Sequence, residues 1–295
     1  MKKILLILCG TLLISGAAFA KLTVAASIPD LASIAAYIGG DRVAVFSICQ
    51  PARDPHTVEV LPSYMVKVSR ADVYLKVGLS LDQWADGIVD GARNSSLRVV
   101  TCSDNVPVLE KPDRVDAYLA AQGDVHPQGN PHYWTNPDNG VIVARNIADG
   151  LIAADPAGAT MYNDNLKKFE AEETSKMNEW KAAAAALPFH NIISYHSDWI
   201  YFADAFGFTI PAYVEPLPGI PPTPSHLTNL LNIIKSQQIK VIIQEPFYSD
   251  EAPNYLVRET GVKVVKISPS CADVSPASYF DHFQQIIGAL QAVGG

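Results

Sequence analysis

Past its first twenty residues the chain has no apolar run approaching the roughly 20 residues that a membrane-crossing helix needs, so direct membrane insertion of the remainder is excluded. Basic residues are scarce, 22 Lys and Arg against 30 Asp and Glu. Such a surplus of negative charge repels nucleic acid and anionic lipid surfaces. The four cysteines, Cys9, Cys49, Cys102 and Cys271, show no close paired spacing, which excludes a zinc finger or a dithiol redox motif. No His-Glu-x-x-His helix and no Gly-x-Ser-x-Gly turn mark a hydrolase. Low-complexity segments and a convincing internal repeat are also missing.

What is present begins with a targeting signal. Lys2 and Lys3 precede an apolar run from Ile4 to Ile14 and the small-residue end Ala18-Phe19-Ala20, the pattern of a cleaved secretory signal peptide over 1–20. Cys9 follows Leu8 rather than a small residue, so lipid attachment there is not expected and Cys9 leaves with the signal. The expected product is a periplasmic chain from Lys21 onward. Without Lys2 and Lys3 it has 20 basic against 30 acidic residues, a net charge of about −10. It keeps three cysteines, enough for at most one internal disulfide, whose partners the sequence does not identify.

Short β-rich runs then alternate with stretches of helical periodicity. Strands are expected at 22–26, 43–48, 73–77 and 97–100, with helices at 29–38, after Leu61 and from about Asn136-Pro137. The stretch 156–187 is rich in Lys, Glu and Ala, which predicts one long helix able to act as a stiff spar. Beyond Pro188 the alternation restarts, with strands at 192–195, 212–215, 241–244 and 262–267 and helices at 198–206, 225–237, 252–260 and 276–293. The expected fold is α/β: a first lobe over 21–155, a linking helix over 156–187 and a second lobe over 188–295, each lobe with a parallel sheet. Prolines 216, 218, 221, 222 and 224 keep the connection before Ser225 non-helical.

Three of the seven histidines fall beside expected strand ends or at loop ends, where α/β sheets collect ligands. His56 lies in Asp54-Pro55-His56-Thr57-Val58-Glu59, His132 in Asn130-Pro131-His132-Tyr133-Trp134, and His196 in Ser194-Tyr195-His196-Ser197-Asp198-Trp199. Converging imidazoles suit zinc and its transition-metal neighbours, whereas calcium and magnesium want oxygen cages. Spacing of dozens of residues does not by itself establish convergence. Arg53, Asp54 and Glu59 are read as shaping the first loop, and His190, His226 and His282 as structural or solvated.

Together with Gly78-Leu79-Ser80-Leu81-Asp82-Gln83-Trp84 and Gln244-Glu245-Pro246, these segments resemble, in order and at compatible distances, the motifs of the periplasmic solute-binding proteins of bacterial zinc and manganese ABC importers (cluster A-I, family 9 type). The resemblance covers nearly the whole mature chain. It implies two α/β lobes joined by one long rigid helix with a metal site between them, and His56, His132 and His196 as ligands. The fourth position departs from the family, whose aspartate after the last strand aligns with Ser268 here. Glu245 is ranked first for that position, then Asp273, with Cys271 nearby and a water as further candidates. The other role open to Glu245 is to accept the free N–H of a ligand histidine. His126 stands where some relatives carry a longer histidine-rich loop, which leaves it an auxiliary metal-collecting role. The resemblance implies a receptor that passes Zn2+ as transported ligand to the importer's membrane permease, with a monomer as the default for such a shuttle. Mn2+ or iron is the alternative cargo; zinc is placed ahead of manganese because manganese-type relatives tend to carry glutamate where this chain has His196. An exported zinc hydrolase is the remote alternative.

Overall fold

The computed structural model describes residues 21–112, 126–217 and 219–294. The expected signal peptide therefore lies outside the described residues. Among those described, no helix is long and apolar enough to cross a membrane.

The first sheet is parallel, in the order β2-β1-β3-β4, from β1 (Leu22–Ala26), β2 (Val43–Ser47), β3 (Val73–Lys76) and β4 (Arg98–Thr101). Alternate side chains face opposite ways along a strand. Val24, Ala26, Val73 and Leu75 thus enter the main core. Ala25 and Tyr74 pack with Val68, Ala85 and Ile88 on the other face. The helices α1 (Pro29–Gly39) and α4 (Pro137–Ala154) contribute Leu31, Ile34, Val143 and Ile147 to the main core, and α2 (Pro62–Val68) and α3 (Trp84–Ala92) cover the second face. Proline occupies the first turn of α1, α2 and α4, where its missing N–H costs no helical hydrogen bond. Asn136 caps α4 by accepting the Asp138 backbone N–H.

The second sheet is also parallel, in the order β5-β6-β7, from β5 (Ile193–Ser194), β6 (Val241–Gln244) and β7 (Lys263–Lys266). Its helices are α6 (Ile200–Phe206), α7 (Pro224–Gln237), α8 (Glu251–Thr260) and α9 (Ser278–Gly294). The strand expected at 212–215 is not a full strand. Val214 and Glu215 donate to the carbonyls of Ser194 and Tyr195, but only the Ser194–Tyr213 bridge forms beside β5. Pro211 and Pro216 bracket the segment and cannot donate to a ladder, so the pairing stops there.

The linking helix α5 runs over Ala159–Ala185, 27 residues, after a separate single turn at Pro156–Gly158. At 1.5 Å per residue it is about 40 Å long. It is not an isolated strut. Tyr162, Phe169, Met177 and Trp180 belong to one hydrophobic cluster that also holds Leu31 and Ile147 from the first lobe and Phe202, Ile243 and Phe283 from the second. Phe169 meets Phe280 at 4.8 Å between ring centroids, and Trp180 meets Phe283 at 5.4 Å. Gly140 on α4 lies so close to Tyr279 on α9 that a Cβ there would collide with its ring. A smaller outer core, with Ile193, Leu230, Ile242 and Leu256, belongs to the second lobe alone. Cys49, Cys102 and Cys271 are buried as free thiols, so no disulfide joins them.

Candidate metal centre

The three histidines singled out in the sequence come together between the sheets. One nitrogen from each of His56, His132 and His196 lies within 4.8 Å of the others. Their ring centroids are 5.0, 5.3 and 5.5 Å apart for the pairs 56–132, 56–196 and 132–196. His132 and His196 are buried.

His56 follows β2 and His132 precedes α4, and both are oriented by the same local device. The Asp54 Oδ1 atom accepts the backbone N–H of His56 at 2.9 Å and lies 2.9 Å from its ring Nδ1. Asn130 Oδ1 does the same for His132, at 3.0 and 2.9 Å. In each case an Asx side chain reaches across one proline to a histidine two residues on, a turn these side chains favour. Asn130 is tied on every side: its Nδ2 donates to Glu110 Oε2 and to the Ser197 carbonyl, and its own carbonyl accepts from the Tyr201 hydroxyl. Trp84 Nε1 donates to the Pro55 carbonyl and pins the first loop. His196, directly after β5, is held from a distance, its Nδ1 3.0 Å from Glu215 Oε2. With an oxygen acceptor at each Nδ1, a neutral ring carries its proton there and presents its Nε2 lone pair inward. That is the tautomer a metal ligand needs.

Two carboxyl groups stand beside the cluster. Asp198 Oδ1 is 2.7 Å from His132 Nε2 and 3.6 Å from His196 Nε2. Glu245, at the end of β6, is fully buried and accepts the Trp199 indole N–H at 2.6 Å. Burial, and then the negative charge of Asp198, pushes the Glu245 carboxyl well above its ordinary range. For Asp198 burial acts in the same direction, but the neighbouring histidines outweigh it and hold the carboxyl below its ordinary range. Burial lowers His132 to about 4 against the pull of Asp198. At His196 burial is outweighed by Asp198 and Glu215, and the ring is raised.

The other expected residues fall as follows. Glu245 is in the site but outside the mutual histidine group. It meets Trp199, and the acceptor for a histidine N–H is Glu215 instead. Asp273 is exposed and accepts the backbone N–H of Ser275 within its own turn. Its loop turns toward α1: Cys271 Sγ donates to Asp30 Oδ1, and Ser33 Oγ donates to the Ser275 carbonyl. Ser268 accepts from the Ser270 N–H. His126 packs its ring 5.3 Å from His56 and 6.3 Å from His132, and burial followed by the neighbouring histidines lowers it to about 3. His226 bonds the Tyr213 carbonyl, His282 is buried in α9, and His190 is exposed. Sequence reading missed Asp198 and Glu215. Asp198 looked like a helix start, yet it lies two residues after a candidate ligand. Glu215 ends an extended run before a proline, a position where a carboxylate can face a strand-end site. A cavity of about 250 Å³ opens beside His196, lined by Glu110, Tyr213, Glu215 and Leu217.

The family model described as zinc-uptake complex component A, periplasmic (ZnuA), matches residues 24–293. The iron ABC transporter substrate-binding lipoprotein MtsA of Streptococcus pyogenes serotype M1 is 30% identical over 248 residues, covering 80% of this chain and 77% of that protein. The manganese ABC transporter substrate-binding lipoprotein PsaA of Streptococcus anginosus is 27% identical over 250 residues, covering 83% and 78%. A crystal structure of ZnuA superposes with a TM-score of 0.81 at 23% identity, over 93% of this chain and 100% of that one, a likeness of fold. From the match of nearly its whole length, the chain belongs to the ZnuA family, among the substrate-binding proteins of metal ABC transporters.

Proposed function

We propose that the protein captures a divalent transition metal, zinc first, in the periplasm after removal of residues 1–20, and delivers it as a monomer to the permease of an ABC importer. The observation that supports this is the convergence of three imidazoles whose Nδ1 atoms are each committed to an oxygen acceptor. Side chains so buried and so tied suit holding a metal rather than turning over a substrate, since a hydrolytic zinc needs an open water position. Three nitrogens with one oxygen suit zinc better than manganese, which favours carboxylates and water. The cargoes for which the relatives are named, iron and manganese, make those two ions the competitors to test.

Elemental analysis and competitive titration of residues 21–295 test this reading. One zinc per chain is expected, bound in preference to manganese and iron(II). Each of His56→Ala, His132→Ala and His196→Ala should weaken zinc by more than about 100-fold, beyond the 10- to 100-fold typical of an outer-shell change. No stoichiometric metal, or variants that bind as well as the parent, would overturn the proposal.

A further inference from the structure

We propose that the fourth ligand of this site is Asp198, supplied two residues after His196, in place of a carboxylate from the loop after the last strand. The inference rests on the three-histidine reading above and assigns the position that reading leaves open.

Asn130 Oδ1 is fixed as an oxygen because it takes the His132 backbone N–H while its Nδ2 serves Glu110 and Ser197. His132 therefore carries its ring proton on Nδ1, and Nε2 is an acceptor. The atom it faces at 2.7 Å, Asp198 Oδ1, is an acceptor too. Neither atom has a hydrogen-bond partner of acceptable geometry, although both are buried. His196 repeats the pattern at 3.6 Å, its proton committed to Glu215. Buried acceptors aimed at one another are costly unless a cation sits between them. A divalent ion held by neutral imidazoles alone also brings two uncompensated charges into a dry interior, which one ligating carboxylate halves.

The alternatives are placed less well. Asp273 is exposed and bonded within its own turn, and Cys271 is committed to Asp30. Glu245 gives its Oε1 to the Trp199 indole, whereas Asp198 Oδ1 faces two imidazole nitrogens, at 2.7 and 3.6 Å. The Asp198 backbone is also reached from the opposite lobe, since the single Thr135 hydroxyl proton is shared between the carbonyls of His132, at 2.9 Å, and Asp198, at 3.1 Å. Its carboxylate faces one histidine from each half of the molecule, while Glu245 acts as a positioning residue through Trp199.

The test uses the full mature chain, with zinc competition for affinity and the visible spectrum of the Co2+-loaded protein for coordination. Asp198→Ala and Asp198→Asn should each weaken zinc by about 100-fold or more, at the upper end of or beyond outer-shell effects. Co2+ in Asp198→Ala should show an altered d–d spectrum that responds to added azide, as an opened position allows. Glu245→Gln should weaken zinc by about tenfold and leave the Co2+ spectrum of the parent. Circular dichroism of the metal-free Asp198→Asn variant separates lost coordination from lost fold. Parent affinity and spectrum in both Asp198 variants, or a changed spectrum in Glu245→Gln alone, would overturn the assignment. If His56→Ala and His132→Ala also bind normally, the three-histidine reading itself has failed.

Discussion

The two halves of the candidate metal centre are built by different means. In the first lobe, Asp54 and Asn130 each hold a histidine two residues further along the chain, through an intervening proline. In the second lobe, His196 is held by Glu215, nineteen residues away, in a segment that only partly joins the sheet. Local geometry preforms the first half, whereas the second half exists only once β5 and the stretch before Pro216 are side by side. Orientation of a ligand can thus come from chain stiffness or from tertiary packing, and this site uses both.

Removing the acceptors one at a time and measuring zinc affinity separates the local device from the distant one. Asn130→Ala should cost most, about 100-fold, because Asn130 also joins Glu110 and Ser197. Glu215→Ala should follow, and Asp54→Ala, which frees a single local turn, should cost about tenfold. Equal losses in all three would mean that the local and distant devices do not differ.

Packing between the lobes offers the next contrast. Gly140→Ala pushes a methyl group into Tyr279, a rigid ring bonded to the Trp134 carbonyl, and should destabilise the protein by about 2 kcal/mol in thermal or denaturant unfolding. An unchanged midpoint would show that α4 and α9 shift apart without cost.

The smallest effect is a pH dependence on α5. Glu173 is buried and its carboxyl is pushed up to about 7, first by burial and then by Asp138. The folded state therefore holds this proton more tightly than the unfolded state, whose value is near 4.5. The advantage of the protonated form is complete below pH 4.5 and is lost as pH rises toward 7. Glu173→Gln should match the parent near pH 4 and exceed it by about 1 kcal/mol at pH 8, read as a higher melting temperature. A difference that is the same at both pH values would contradict the burial argument.

Much of the architecture was legible because it is written in local patterns. β1, β6 and β7 follow their apolar runs closely, and the Lys-, Glu- and Ala-rich stretch did become α5. The first turn at Pro156–Gly158 separated from it, a local break at Gly158 that helix propensity did not reveal. The histidines with Asx-Pro before them stood out for the same reason. What pairs distant segments was not legible: the failure of 212–215 to complete a strand, the reach of Glu215 to His196, and the turn of the 267–275 loop toward Asp30. Asp198 was hidden differently, because an aspartate at the start of a helical stretch reads as a cap.

The cluster that runs from Leu31 and Ile147 through Phe169 and Trp180 to Ile243 and Phe283 has a thermodynamic consequence. Because this main cluster is shared by both lobes, melting either lobe strips the other of part of its core, so unfolding should be a single cooperative event rather than two. Any ion bound at the seam then adds RT ln(1 + [L]/Kd) to the resistance of the entire chain. Loaded molecules would outlast empty ones under protease, and cargo would act as a preservative of its own carrier.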